Sequence, residues 1–160
     1  MRYDATPGRA ASAVPRLSVD GERDWTVVMV AHPHCPCTAT SLKALRQVVA
    51  VHGEEMATTV VFANEGKVEK SVNLELAQAI PGAKIVWMSA KDAEEKYHSY
   101  TSGQVFVYAS TGELAFSGGI TPGRNADQPR FALQLFDGIF AGNPERRKYK
   151  VFGCKLRGEE

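Results

Sequence analysis

The 160-residue sequence has no apolar run approaching the ~20 residues needed to cross a bilayer. Its opening, to Asp24, lacks the apolar core of a signal peptide. Neither charge sign dominates: 19 Lys and Arg stand against 18 Asp and Glu, so nothing in the balance calls for nucleic acid or an anionic membrane. Cysteine is scarce, and Cys35, Cys37 and Cys154 are too few and too unevenly spaced for a small secreted disulfide framework. Gly-rich phosphate loops, nucleophilic serine motifs, paired-carboxylate motifs and internal repeats are all missing. What remains is a chain of single-domain size, long enough to bury a core without disulfide staples.

Residues 1–24 carry Pro7, Gly8, Pro15 and Gly21 with little periodicity and read as an irregular lead-in or linker. The domain proper is expected over 25–142. It opens with Thr26 to Ala31, a continuous β-branched apolar run suited to a strand buried on both faces. Leu42, Leu45, Val48 and Val49 then recur at helical spacing up to Gly53. Further strands are expected at Thr58 to Ala63 and Lys84 to Met88, with helices through Leu74 to Ile80 and Asp92 to His98. Gln104 to Ala109 and Glu113 to Ser117 flank Ser110-Thr111-Gly112 as a β-hairpin, and Ala132, Leu135, Phe136, Ile139 and Phe140 mark a last amphipathic helix. A basic tail, 143–160, closes through Val151-Phe152-Gly153-Cys154. His52 and His98 read as surface residues without a role.

The strand at Thr26 points at His32-Pro33-His34-Cys35-Pro36-Cys37, and the helix follows at once. A helix N-terminus offers free amide hydrogens and the positive end of the helix dipole, which favour an anion such as a thiolate. An imidazolium from His32 or His34 would lower a thiol pKa further. Pro36 suits the first helical turn because its missing amide hydrogen is not needed there. A disulfide between cysteines two apart closes a small, strained ring, and strain makes it easily reduced, so a Cys35–Cys37 bond is expected to be oxidising. Two buried, inert thiols are the plain alternative.

Metal is the chemical competitor. His32, His34, Cys35 and Cys37, with Cys154 as a distant donor, offer imidazoles and thiolates suited to zinc or copper. Against a closed site, four of these donors come from one short, proline-stiffened segment. Otherwise the sequence calls for no cofactor.

The order strand, cysteine turn, helix, strand, helix, strand, helix, hairpin, helix resembles the thioredoxin-like superfamily, and specifically its TlpA-like and RedB-like bacterial branch. The narrower likeness rests on the His-Pro-His-Cys-Pro-Cys run, on Ser117-Gly118-Gly119-Ile120-Thr121 and on the terminal Val151-Phe152-Gly153-Cys154. The resemblance implies an α/β three-layer fold with a central mixed sheet, ending in a hairpin and a helix. It implies thiol–disulfide exchange with protein dithiols or disulfides, Cys35 attacking and Cys37 resolving. The family pattern is Cys-x-x-Cys, and its second cysteine position holds Thr38 here. Where thioredoxins carry a cis proline, this chain has Thr101-Ser102-Gly103-Gln104, with Gly103 at the proline position. Gly119 and Arg124 are expected at the site edge. The branch implies an extracytoplasmic protein whose anchor lies outside the sequence given. On the same fold, a copper or zinc chaperone and a redox-inactive interaction domain are the alternative functions.

Overall fold

The computed structural model describes residues 3–4, 23–123, 128–143 and 150–156. Its elements in chain order are β1 (Tyr3–Asp4), β2 (Trp25–Ala31), α1 (Pro36–His52), β3 (Met56–Ala63), α2 (Val72–Gln78), β4 (Lys84–Met88), α3 (Ala90–Tyr97), β5 (Gln104–Ala109), β6 (Leu114–Gly118), α4 (Pro129–Phe140) and β7 (Gly153–Cys154). Five strands form one mixed sheet in the order β4-β3-β2-β5-β6. β2, β3 and β4 run parallel, whereas β5 pairs antiparallel with both β2 and β6.

The continuous apolar run of β2 is explained by burial on both sides of this sheet. Side chains alternate along a strand, so Val27, Met29 and Ala31 enter the core beneath α1, α2 and α4. Val28 and Val30 enter a second core with Val61, Phe106 and Tyr108, closed by Ala93 and Tyr97 of α3 and by Leu156. The result is a three-layer α/β domain. Leu42, Leu45 and Val48 of α1 are wholly buried, each worth about 1.5–3 kcal/mol relative to exposure. Among the described residues, no helix is long and apolar enough to cross a membrane.

Local signals set the helix starts. The Ser71 hydroxyl accepts from the Leu74 amide at 3.0 Å, and the Ser89 hydroxyl from the Asp92 amide at 3.0 Å. These are N-caps, which is why α3 begins at Ala90 rather than at the expected Asp92. His52 is also more than a surface residue. Its ring nitrogens lie 3.1 Å from Glu55 Oε2 and 2.8 Å from Asp137 Oδ1, tying the end of α1 to α4.

The segments flanking the sheet meet. β1 pairs antiparallel with β7, Tyr3 opposite Cys154 and Asp4 opposite Gly153. The remainder of the expected lead-in, 5–22, and the basic stretch 144–149 lie outside the described residues. Thr101 forms a further antiparallel bridge with Lys155, and the Leu156 amide donates to the Tyr100 carbonyl at 2.9 Å. Residues 154–156 are thereby laid along the segment preceding β5.

Candidate redox site

β2 ends at Ala31, and the turn that follows delivers Cys35 as the N-cap of α1, in extended conformation, with Pro36 at the first helical position. The helix start therefore carries the cysteines as its sequence pattern suggests. The turn is held from two sides. The buried Asn73 of α2 donates from Nδ2 to the carbonyls of His32 (3.0 Å) and Cys35 (2.9 Å). From the other side, the His32 amide donates to Ser102 Oγ at 2.7 Å.

The three cysteines form one buried cluster, Cys35 at 0%, Cys37 at 2% and Cys154 at 6% relative exposure. β7 brings Cys154 to the helix start, where its amide donates to Cys35 Sγ at 3.2 Å. Its carbonyl accepts from the Ser102 amide at 2.8 Å, fixing both backbone faces of the residue. Gly153 permits this approach, because a Cβ there would collide with the Ser102 carbonyl oxygen.

Burial raises the Cys35 pKa, but hydrogen bonds from the Thr38 side chain, from the Cys154 thiol and from both backbones outweigh it, leaving the thiol below its ordinary value. The proton stays with Cys154. Burial first, then its hydrogen bond to Cys35 and the nearby Cys35 and Cys37 charges, push the Cys154 thiol up to about 12. Thr38 Oγ1 and Ser102 Oγ are 2.6 Å apart. The His32 amide donates to Ser102 Oγ, either hydroxyl can donate across the Ser102–Thr38 bond, and Thr38 favours the Cys35 thiolate. A buried polar relay thus ends on the sulfur.

His32 behaves differently from expectation. Burial, then the nearby His34, lowers the His32 pKa to about 4, so His32 is neutral at neutral pH and supplies no imidazolium. Its Nδ1 accepts from the His34 amide at 3.1 Å. His34 itself is exposed. Among the described residues, no three His, Cys, Asp or Glu side chains are placed to hold a metal ion together. The set His32, His34, Cys35, Cys37 and Cys154 therefore does not fit a closed zinc or copper centre.

The remaining expected residues divide. Gly103 has φ +97° and donates its amide to Val30 at 2.8 Å, and a Cβ on it would face Ser41 Oγ and Thr38 Oγ1 at 3.5 and 3.7 Å. It lies beside the relay. Gly119 instead supports the C-terminal segment: its amide donates to the Lys150 carbonyl at 3.2 Å, and a Cβ would strike that oxygen. Arg124 lies outside the described residues. Asn73 and Ser102 are site residues that the sequence reading does not find. Asn73 sits in an otherwise ordinary stretch, and Ser102 lies in the 101–104 stretch set against the family's cis proline, where Gly103 and not Ser102 is singled out.

No family model matches the chain, and no curated protein matches its sequence. Solved structures do resemble it. An uncharacterised conserved protein from Geobacillus kaustophilus superposes with a TM-score of 0.70 at 14% identity, covering 99% of this chain and 97% of that one. A secreted Mycobacterium tuberculosis disulfide oxidoreductase homologous to E. coli DsbE gives 0.57 at 13% identity, covering 82% and 96%. Arabidopsis thaliana ScoI with copper bound gives 0.53 at 14% identity, covering 85% and 99%. At such identities the likeness is one of fold.

Proposed function

We propose that this chain, whose fold is thioredoxin-like, is a thiol–disulfide oxidoreductase whose nucleophile is Cys35 and whose partners are protein dithiols or disulfides. The observation that carries the reading is the Cys154 amide donating to Cys35 Sγ at 3.2 Å at the start of α1; Thr38 and the Cys154 thiol add to it in holding the Cys35 pKa down. Donors of this kind favour the thiolate, which is the form that attacks a disulfide. Cys37, in the first turn of α1, is the neighbouring thiol that the fold offers as its redox companion. The relay through Ser102 and Thr38 orients the donor to Cys35 before a substrate arrives. Cys35 has no exposed surface, so a macromolecular disulfide reaches it only when β7 lifts from the helix start.

Thiolate absorbance near 240 nm tests this without requiring access to the sulfur. The difference between the wild-type protein and Cys35→Ser, followed against pH, is expected to titrate below the ~8.5 of a free cysteine. A Cys35 midpoint at or above that value overturns the proposal and leaves an interaction domain with inert thiols.

A further inference from the structure

We infer that Cys154 is a resolving thiol for Cys35, and that oxidation of the site joins β7 to the start of α1 by a Cys35–Cys154 disulfide. The inference rests on the exchange chemistry proposed above and adds a third redox cysteine. Its ground is geometric. The Cys154 amide lies 3.2 Å from Cys35 Sγ, and all three cysteines share one buried cluster. Cys37, by contrast, follows Cys35 by two positions across Pro36, and the small ring that would join them departs from relaxed disulfide geometry.

The Cys35 thiolate attacks one sulfur of a partner disulfide, forming a mixed disulfide and expelling the second partner sulfur as a thiolate, which takes a proton from solvent. The Cys154 thiol then loses its proton to solvent, and its sulfur attacks Cys35 Sγ. The Cys35–Cys154 bond forms, the mixed disulfide breaks, and the remaining partner sulfur leaves as a thiolate that is protonated in turn. Two electrons pass from the cysteine pair to the partner disulfide.

The order is built into the site. Burial first keeps Cys154 protonated, and while Cys35 is an anion its hydrogen bond and its charge add to that. Once Cys35 is held in a mixed disulfide that charge is gone, and part of what restrains Cys154 goes with it. Cys154 therefore loses its proton more readily when there is something to resolve.

Peptide mapping after reaction with glutathione disulfide tests this. Trypsin releases Cys35 and Cys37 together in residues 24–43 and Cys154 in residues 151–155. In Cys37→Ser, the expected product is 24–43 cross-linked to 151–155, with glutathionylated Cys35 only a transient. In Cys37→Ser, Cys154→Ser, glutathionylated Cys35 is expected to accumulate at least about tenfold more. In the unsubstituted protein the same cross-linked pair should carry most of the oxidised material, so the result does not hang on a variant's folding. A Cys37→Ser protein that stays glutathionylated on Cys35 with Cys154 free for alkylation overturns the inference. An unsubstituted protein oxidised only within 24–43 overturns it equally. If Cys35 of the unsubstituted protein forms neither a mixed nor an internal disulfide, the exchange reading itself fails, which is a different result from either of these.

Discussion

The backbone amide of Cys154 donates to the sulfur of Cys35 at 3.2 Å, although the two residues stand 119 positions apart. Cys154 thus acts on Cys35 twice, through an amide that any residue at 154 would keep and through a thiol that only cysteine supplies. Substitution by serine therefore separates redox participation from thiolate stabilisation, because the amide remains.

Thr38→Val keeps the shape of the side chain and removes its hydroxyl. The Cys35 titration seen at 240 nm is expected to move upward, since one of the donors favouring the thiolate is gone. Ser102 loses its 2.6 Å partner as well, at a cost of about 1–2 kcal/mol in urea unfolding. A titration unmoved from wild type would take Thr38 out of the thiolate's support.

Gly153→Ala forces a Cβ against the Ser102 carbonyl and should displace β7 from the helix start. Alkylation of Cys35 by iodoacetamide, read in the 24–43 peptide, is expected to accelerate by roughly tenfold or more as local opening becomes easier. Gly112→Ala serves as the comparison, since the space around Gly112 is empty although its φ is +90°. Equal protection of Cys35 in both variants would mean that β7 is not what covers it.

His32 makes stability depend on pH with a defined sign. Its folded pKa, about 4, lies below its ordinary value of 6.5, so the unfolded chain takes up this proton first as the solution is acidified. The contribution is complete above about pH 6.5 and is lost as pH falls towards 4. For a half-buried ring the loss is on the order of 1–2 kcal/mol after allowance for solvent screening. His32→Asn offers an acceptor near the Nδ1 position without the titration. The difference in urea midpoint between wild type and variant should shrink or reverse between pH 7 and pH 4, and a constant difference would contradict the assignment.

The sheet and the position of the cysteine turn were legible because their signals are local. The apolar run from Thr26 to Ala31 is long enough to declare a strand buried on both faces, and a proline directly after Cys35 marks a helix start. The site's support was not legible because it is tertiary. Asn73 sits in a short helix 38 positions from the Cys35 carbonyl it holds, and Ser102 lies in a turn 64 positions from Thr38. Neither partner can be read from spacing. His32 supplies no imidazolium for a related reason: composition gives the ring, and burial decides its charge. The two-residue strand at Tyr3–Asp4 is set by its pairing with Gly153–Cys154 and has no periodicity of its own to announce it.

That pairing has a consequence for how the protein is made. Synthesis delivers Cys35 and Cys37 long before Cys154, and Tyr3–Asp4 before any of them. The partner strand of β1 and the third thiol arrive together, 119 positions after Cys35. Loop closure over so many residues rewards the chain only once the sheet has brought its ends close. Until then the emerging chain holds two cysteines without the residue that covers them. Its earliest chance of a wrong disulfide, with itself or with a neighbour, falls in that interval.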